Sequence, residues 1–343
     1  MRMTVSVIVA TYNRGYIIRD ALQSALDQSY SDCEIVVVDD GSSDNTRKVV
    51  EGLNSDRIRY VRHESNRGCS AAYNTGINEA TGRLIAFLDS DDVWKPDYLS
   101  RQVGLLRGHP EVGVVFCDTE IQGSVEKAHS LMSFMHVLPK LVRRKAESTE
   151  HILDSREIYL CLLQEIPVKP TATVIRRELF SQGGMFDETW PSGTDCDLFL
   201  RLSKLTRFAY IDDALVIQRR TSDATHQKYR EKDKQFLISV YLKEKASVVD
   251  DREAVRCVNR GMCAHYNSLA WHYLESGQGA RGLAVYWEGF RETLHLRLLQ
   301  KMGSAVVRIA ASNVAKLARR PGAERSGGGE RFEQGRKVEW RSR

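Results

Sequence analysis

The sequence predicts an α/β fold, in which a mainly parallel, mixed sheet is flanked by helices and followed by a helical C-terminal extension. Over the first ~120 residues, short apolar runs alternate with segments of helical spacing. The apolar runs are nearly continuous, which is typical of strands covered by helices on both faces. Beyond about residue 230 the composition is that of helices.

Each element follows from one of these runs or periodicities. Strands are predicted at residues 5–10, 34–38, 58–61, 84–88, 112–116, 172–175 and 208–217, the last as a strand or a hairpin. Helices are predicted at residues 16–28, 44–53 with Asp44 as the N-cap, 70–80 and 194–205. In the extension, helices are predicted at residues 236–249, 253–276, 280–297 and 303–320.

The pattern divides the chain into three parts. We predict an α/β domain over residues 1–228, a helical extension over 229–321 and a disordered tail, rich in Gly, Arg and Glu, over 322–343. Within the first part, residues 119–150 lose the alternation and are rich in Lys, Arg and His. We interpret that segment as a loop or short helix.

Composition excludes several classes of protein. The net charge of +5 over 343 residues gives no basic field of the kind that nucleic-acid binding requires. The seven cysteines are scattered singly, which favours reduced structural thiols over a disulfide framework or a zinc site. The N-terminus has no signal-peptide pattern, and no apolar run approaches the ~20 residues of a membrane span. We therefore expect a cytoplasmic protein or one that is peripheral on the inner membrane face.

Polar and acidic residues follow three of the predicted strands. The first strand ends in Ala10-Thr11-Tyr12-Asn13, the second in Asp39-Asp40 and the fourth in Asp89-Ser90-Asp91-Asp92. In open α/β sheets, ligands bind beyond the carboxyl ends of the strands, so these residues predict a binding site at one edge. The alternative is that the carboxylates only mark turns and helix caps.

The spacing of Asp89 and Asp91 predicts a metal site. On an extended segment, side chains two residues apart point the same way, so two carboxylates can face one hard cation. Mg²⁺ or Mn²⁺ takes one or two carboxylates and completes its shell with water and phosphate oxygens. Asp39 and Asp40 are placed to accept hydrogen bonds from a base or a ribose, and the Tyr12 ring either packs on a nucleobase or belongs to the core.

Together these segments resemble the family-2 glycosyltransferases. The resemblance covers residues 4–225 and is carried by Val5 to Asn13, Val37 to Asp44, Asn66-Arg67-Gly68 with Asn74 and Gly76, and Phe87 to Asp92. It implies the GT-A fold, a Rossmann-like sheet, and sugar transfer from a nucleotide-diphosphate donor with inversion. UDP-sugars are the favoured donors, and the implied role is cell-surface polysaccharide or glycoconjugate synthesis.

The resemblance also assigns roles to residues. Thr11, Tyr12, Asp39 and Asp40 match nucleotide-binding positions, with Asp40 the better candidate for reading the base. The full set expected to bind the nucleotide-sugar is Ala10, Thr11, Tyr12, Asn13, Asp39, Asp40, Arg67, Asn74, Asp89 and Ser90. Asp91 is the more direct ligand of Mn²⁺ or Mg²⁺, Asp89 is the second, and His226 is a possible third unless it is structural. Tyr73 stands where the family usually has arginine, and Arg67 is a possible substitute.

The catalytic base of the family lies in a Glu-Asp pair that opens a helix. Asp195 matches the Asp of that pair, whereas Thr194 replaces the Glu. Inverting transfer needs one carboxylate to take the proton of the acceptor hydroxyl. Asp195 is therefore the expected base and Asp197 the fallback, the alternative being that either only caps the helix. Trp190 is expected either to stack on a sugar or to pack.

Three functions remain open from the sequence. The first is the metal-dependent glycosyltransferase, acting on a saccharide or lipid-linked acceptor. The second is a nucleotidyltransferase on a related sheet. The lack of a Gly-rich, basic loop after the first strand argues against this function. The third is a non-catalytic nucleotide-sugar-binding protein. The basic, amphipathic segment 294–320 either contacts a membrane or packs on the catalytic domain.

Overall fold

The structure, a computed structural model, describes residues 3–122, 129–144, 148–190, 193–219 and 230–318. In these residues ten strands form one mixed sheet, ordered β3-β2-β1-β4-β9-β6-β10-β5, with β7 paired to β6 and β8 to β10. The strands are β1 (Val5–Thr11), β2 (Cys33–Asp39), β3 (Ile58–Arg62), β4 (Leu84–Phe87), β5 (Val93–Trp94), β6 (Val112–Gln122), β7 (His129–Ser130), β8 (Glu150–Leu153), β9 (Thr173–Arg176) and β10 (Arg207–Arg219).

The first half of the sheet is parallel. Strands β3, β2, β1 and β4 run in the same direction, and the register places Thr11 opposite Asp39. Most side chains of β1, β2 and β4 are apolar, and these three strands are buried on both faces. All three strands therefore deliver their carboxyl ends, where the predicted site residues lie, to one edge of the sheet.

The second half of the sheet is mixed. Strand β9 runs antiparallel to both β4 and β6, while β6 and the long β10 are parallel to each other. The short strands β5 and β8 pair antiparallel with different parts of β10. The predicted mixed α/β sheet is confirmed, with its parallel pairs concentrated between β3 and β4.

Eight helices lie in the described part of the chain before residue 220. They are α1 (Ile18–Leu26), α2 (Thr46–Glu51), α3 (Cys69–Glu79), α4 (Tyr98–Gly108), α5 (Leu138–Val142), α6 (Ser155–Leu162), α7 (Glu178–Gly183) and α8 (Asp195–Ser203). The predicted N-cap of α2 is wrong by one residue, since the cap is Asn45. Asp44 still serves that helix, because its Oδ1 accepts from the Thr46 amide at 2.9 Å.

The segment 119–150 is more regular than its composition suggested. Strand β6 continues to Gln122 because it pairs with β10 along its whole length, so the prediction of a loop from residue 119 is wrong there. The short strand β7 and helix α5 follow, and β8 begins at Glu150. Residues 123–128 and 145–147 of this segment lie outside the described residues.

Four long helices form the extension: α9 (Arg230–Ser247), α10 (Arg252–Glu275), α11 (Gly279–Thr293) and α12 (Leu296–Ala318). The predicted break between the last two helices was placed too late. Helix α11 ends at Thr293, its C-cap Leu294 adopts a left-handed conformation with a φ of 52°, and α12 starts at Leu296. The boundary predicted at residues 228 and 229, and the tail 322–343, lie outside the described residues.

The extension packs directly on the α/β part. The Tyr241 hydroxyl of α9 donates to the carbonyl of Leu162 at 2.7 Å, and the buried Glu244 accepts from Lys204 at 2.7 Å. At Gly261 of α10, an added Cβ would lie 2.3 Å from the carbonyl oxygen of Leu163. One hydrophobic cluster accordingly contains residues of α3, β4, β6, α6, α8 and the extension helices.

Three further features bear on the expectations from sequence. Trp190 packs against Phe236 of α9, with ring centroids 4.8 Å apart, which agrees with its packing alternative. All seven cysteines are free thiols. Among the described helices, none combines the length and apolar character needed to cross a membrane.

Candidate active site

The loops that follow β1 and β2 are hydrogen-bonded to each other. The Asn13 amide donates to Oγ of Ser42 at 2.8 Å, and Oδ1 of Asn13 accepts from the Ser43 amide at 2.9 Å. Asn13 has a φ of 53°, a left-handed conformation that asparagine tolerates better than most residues. These bonds hold the two strand ends together as one polar rim.

Residues Ala10 to Tyr12 line this rim in different ways. Ala10 is half-buried and packs against the core. The buried hydroxyl of Thr11 has no hydrogen-bond partner among the described residues, so it can serve a ligand. The Tyr12 side chain is 46% exposed, which excludes the alternative that it belongs to the core.

Asp39 closes β2 as a buried carboxylate. Its Oδ1 accepts from the Ser42 amide at 2.7 Å, and its Oδ2 accepts from the Tyr60 hydroxyl. An ionised carboxylate offers about four acceptor positions, so about two remain for a ligand.

Asp40 holds the loop that precedes α3. It accepts from the amides of Arg67 and Gly68, each at 2.8 Å, and from Nδ1 of His63 at 2.7 Å. Three of its roughly four acceptor positions are therefore used within the chain. The geometry leaves Asp39 more capacity to bind a base or ribose than Asp40.

Asp89, Ser90, Asp91 and Asp92 form a turn between β4 and β5. The Asp92 amide donates to the Asp89 carbonyl at 3.0 Å, and Ser90 is buried inside the turn. The extended geometry assumed for Asp89 and Asp91 is wrong, because the chain turns here to reach β5. The carboxylates still lie close enough to perturb each other's ionisation.

Burial and mutual repulsion raise the pKa of two carboxyl groups in this turn. Burial, reinforced by the neighbouring charges of Asp91 and Asp195, raises the pKa of Asp89 to about 6, against the smaller lowering effect of Lys169. Burial also raises the pKa of Asp92 well above its ordinary value, with Asp89 and Asp91 adding to the effect. Such a concentration of negative charge favours a bound cation.

Tyr73 lies directly against the acidic turn. Its hydroxyl donates to Oδ1 of Asp89, and its ring packs on Phe87 and Phe186 with centroids 4.8 and 5.1 Å away. The hydrogen bond lowers the pKa of Asp89, opposing the effect of burial. The departure from arginine thus puts a neutral donor, rather than a cation, beside the first aspartate.

Helices α3 and α8 meet at their N-termini. Oγ of Ser70 and Oγ1 of Thr194 are 2.8 Å apart and buried, although the residues are 124 positions apart in the chain. Thr194 is the N-cap residue of α8, but no side-chain cap bond is formed, and Asp195 is the first residue of the helix. The half-buried Asp195 is therefore positioned by a contact that uses the threonine replacing the usual glutamate.

Asp197, the fallback base, is engaged elsewhere. Its Oδ2 accepts from Nε and Nη2 of Arg201, each at 2.8 Å, and the same guanidinium donates to the Met185 carbonyl at 2.8 Å. The Asp197 carboxylate is thus already occupied by a cation within the chain. Asp195 is the better candidate for a base.

The Cys69 thiol marks the point where these elements converge. It is exposed at the start of α3, yet reduced solvation by the surrounding protein raises its pKa. The charges of Asp89, Asp195 and Asp40 raise it further, in that order. Carboxylates from the ends of β2, β4 and the start of α8 thus surround one site.

Asn74 and Arg67 both reach the segment before α8. The Asn74 amide group donates to the Phe186 carbonyl at 2.9 Å and to Glu188 at 2.8 Å, and it accepts from the Phe186 amide at 3.0 Å. The exposed Arg67 guanidinium lies 3.2 Å from Glu188. In this structure Asn74 links α3 to the segment before α8, and the Arg67 side chain pairs with Glu188.

Sequence reasoning missed several residues of the site. Thr171 lies under the turn, where its Oγ1 is 3.4 Å from the Asp89 amide and its carbonyl accepts from Nε1 of Trp94 at 2.8 Å. Ser70 and Cys69 were also missed. The only available signal was their position inside segments that resemble the family, since a lone hydroxyl or thiol carries no pattern of its own.

The acidic turn suits a cation whose coordination shell is completed by oxygens of the substrate. Among the described residues, no three His, Cys, Asp or Glu side chains form a cluster that could hold a metal ion. Mg²⁺ and Mn²⁺ need only one or two carboxylates when phosphates supply further oxygens, so Asp89 and Asp91 fit such an ion. His226, the predicted third ligand, lies outside the described residues.

With this geometry in hand, the class of protein is clear: the chain belongs to glycosyl transferase family 2. The description of that family matches residues 6–184, more than half of the 343 residues. The matched region includes the ends of β1, β2 and β4, which confirms the family predicted from sequence. It ends before Asp195.

Two curated relatives are similar over about a third of the chain. An uncharacterized glycosyltransferase of Nostoc sp. is 44% identical over 33% of this chain and 36% of its own length. The Escherichia coli UDP-Glc:alpha-D-GlcNAc-diphosphoundecaprenol beta-1,3-glucosyltransferase WfgD is 41% identical over 30% and 40%. The matches to these two curated relatives thus span less than half of their length.

Solved structures confirm the GT-A fold. Staphylococcus aureus TarS, in complex with UDP-GlcNAc, superposes with a TM-score of 0.66 at 18% identity, over 86% of this chain and 83% of TarS. The mannosyltransferase PcManGT of Pyrobaculum calidifontis, in complex with GDP-Man and Mn²⁺, superposes with a TM-score of 0.53 at 21% identity, over 92% and 88%.

Proposed function

We propose that this protein transfers a sugar, with inversion, from a nucleotide-diphosphate donor to a saccharide or lipid-linked acceptor. The observation that carries the proposal is the convergence of Asp40, Asp89 and Asp195 on the start of α3, where Gly68 donates to Asp40, Tyr73 donates to Asp89, and Ser70 bonds Thr194 beside Asp195. UDP-sugars are the favoured donors, because TarS is in complex with UDP-GlcNAc and the name of WfgD includes UDP-Glc. The names of WfgD and of the putative teichuronic acid glycosyltransferase TuaG of Bacillus subtilis support a role in cell-surface polysaccharide synthesis.

The nucleotide half of the donor is assigned to the rim of β1 and β2. Asp39 has acceptor capacity left for base or ribose, the Thr11 hydroxyl has no other described partner, and the exposed Tyr12 ring is available for stacking. Asn13 fixes the rim, and Asp40 fixes the loop beneath it.

The diphosphate half is assigned to the acidic turn. Asp89 and Asp91 would hold Mn²⁺ or Mg²⁺, and the ion would neutralise the charge that develops on the leaving diphosphate. The hydroxyl of Tyr73 keeps Asp89 oriented and favours its ionised form.

Asp195 is proposed as the general base. The acceptor oxygen forms its bond to the anomeric carbon while the bond from that carbon to the diphosphate oxygen breaks. The hydroxyl proton passes to the Asp195 carboxylate, and the nucleoside diphosphate leaves. One carboxylate suffices because no covalent intermediate forms, and Asp197 is already paired with Arg201.

The variants Asp195→Asn and Asp91→Asn test these assignments. A panel of UDP-glucose, UDP-GlcNAc and GDP-mannose is screened with Mn²⁺ by thermal shift, and release of nucleoside diphosphate is then followed. Asp195→Asn should slow release by about 10²- to 10⁴-fold while UDP still stabilises the fold. Asp91→Asn should lose the Mn²⁺-dependent stabilisation, whereas the exposed Asp56→Asn should match the wild type. Unchanged release in both site variants would sink the assignment.

The same experiment separates the alternatives. A nucleotidyltransferase would release pyrophosphate from a nucleoside triphosphate, whereas glycosyl transfer or donor hydrolysis releases a nucleoside diphosphate. A non-catalytic binding protein would be stabilised by a nucleotide-sugar without cleaving it in the presence of Mn²⁺.

Peripheral membrane contact through residues 294–320 is part of the proposal. On α12, Leu296 and Val307 are 66% and 69% exposed, and both lie beside a basic stripe of Arg297, Lys301 and Arg308. Flotation with vesicles containing anionic lipid should be lost in Leu296→Ser/Val307→Ser. Equal flotation of that variant and the wild type would contradict the contact.

A further inference from the structure

A cavity in the extension lies between α10 and the start of α12. Its volume is about 440 Å³, within the range of sites for small ligands. Its lining residues are Arg260, Cys263, Ala264, Asn267, His295, Arg297, Leu298 and Lys301. The carboxylates of the catalytic site are not among them, so this basic cavity is separate from the site described above.

The cations of the basic cavity are aligned by helical spacing. Arg297 and Lys301 are four residues apart, so they share one face of α12. Arg260 and Asn267 are seven residues apart, so they share one face of α10. The two faces oppose each other across the cavity, and no Asp or Glu lines it.

The positive charges of these residues have few hydrogen-bond or ion-pair partners in the described part of the protein. Neither Arg297 nor Lys301 forms a hydrogen bond or ion pair in the part of the chain that the structure describes, and Arg260 donates only to Gln164 at 3.3 Å. Arg297 also lies in the first turn of α12, which holds no acidic residue. Cations are unfavourable at a helix N-terminus, where the dipole favours an anion.

His295 adds a polar atom without a partner. Its Nδ1 is buried and has no hydrogen-bond partner among the described residues. A buried imidazole nitrogen without a bond costs free energy, which a ligand in the cavity can recover. Leu294 and Leu296 flank this histidine in the chain, and they are 75% and 66% exposed.

We propose that the basic cavity binds a phosphate group. Arg260, Arg297 and Lys301 supply the charge, Asn267 and His295 supply hydrogen-bonding groups, and Leu294 and Leu296 suit an apolar chain attached to the phosphate. The phosphate comes either from a lipid headgroup or from a soluble phosphate, since both present the same anionic oxygens. The inference does not depend on the transferase activity.

A charge-matched pair of variants tests the inference on the full-length protein. Arg297→Gln/Lys301→Gln removes two cations from the basic cavity, and Arg291→Gln/Lys243→Gln removes two exposed cations outside it. Inorganic phosphate is titrated against chloride at constant ionic strength, and its Kd is measured by calorimetry and thermal shift. The cavity variant should bind at least about tenfold more weakly than the control variant.

Vesicles distinguish the two sources of phosphate. Flotation is compared for neutral phosphatidylcholine vesicles and for vesicles containing phosphatidic acid. Loss of both inorganic phosphate binding and flotation in the cavity variant alone identifies a lipid headgroup, whereas a loss of inorganic phosphate binding without any vesicle effect identifies a soluble ligand. Loss of flotation with unchanged phosphate binding reports only the basic stripe of α12 and overturns the proposal. Equal behaviour of the two double variants in both assays overturns the proposal. Nucleoside diphosphate release is measured in parallel, so failure here is distinct from failure of the proposed activity.

Discussion

Tyr73 changes the chemistry of the carboxylate beside it. An arginine at this position would stabilise ionised Asp89 through a full charge, whereas the tyrosine does so through one hydroxyl bond inside an aromatic cluster. Burial and the charge of Asp91 raise the pKa of Asp89 to about 6 against this bond, so protonation competes with a cation near that pH. The bond from Tyr73 therefore extends the pH range in which the acidic turn can bind a metal.

Tyr73→Phe should shift that range upward. Ligand-free Asp89 has a raised pKa of about 6, so Mn²⁺ affinity should fall as the pH drops through 6. Without the hydroxyl bond, the pKa of Asp89 rises and the midpoint should move up by roughly one pH unit. Calorimetric titration of UDP with Mn²⁺ between pH 5 and 8 measures this midpoint. The buried Tyr210→Phe variant, titrated in parallel, is the control. An unmoved midpoint would show that the bond does not influence Asp89.

At the scale of elements, the sequence predicts strands that are continuous apolar runs, and it misses elements and contacts that depend on pairing with distant segments of the chain. Strands β1, β2 and β4 were predictable because each is a continuous apolar run that ends in polar residues. Strands β5 and β8 are short and exist because β10 pairs with them. The meeting of Ser70 with Thr194 was out of reach, because no local pattern encodes a contact between helices so far apart in the chain.

Substitution of two helix glycines should separate the effect of a contact between distant segments from the effect of local helix propensity on stability. Gly261→Ala places a methyl group against the Leu163 carbonyl and Tyr241, neither of which can move freely, so it should destabilise the fold by about 1–3 kcal/mol. Gly104→Ala in α4 meets nothing within 4 Å and should stabilise by about 0.5–1 kcal/mol. Urea denaturation measures both. Equal and small effects would mean that α10 does not dock on α6 as described.

At the scale of the whole molecule, the extension and the sheet share a hydrophobic core and a buried network. Tyr159 and Lys204 both bind Glu244, which is 7% exposed, and Tyr241 bonds the end of α6. Groups so buried are costly to separate. We therefore expect the extension and the catalytic sheet to unfold as one unit.

Tyr241→Phe probes that coupling without changing the packing volume. Loss of its bond leaves the Leu162 carbonyl unpaired, which should cost about 1–3 kcal/mol. Fluorescence of Trp94 in the sheet and of Trp271 in α10, each isolated by replacing the other tryptophans with Phe, should report the same lowered midpoint. A shift seen by Trp271 alone would show that the two parts unfold separately.

Cys69 gives the protein a built-in chemical reporter. Six of the seven thiols are buried, so a maleimide should label this one first in the native state. The surrounding carboxylates suppress its thiolate, which is the reactive form. A bound Mn²⁺ would cancel part of that negative charge and accelerate labelling, while an occupying nucleotide-sugar would shield the sulfur. The rate of alkylation, followed by mass spectrometry, would thus read out metal and donor as opposite changes at a single atom.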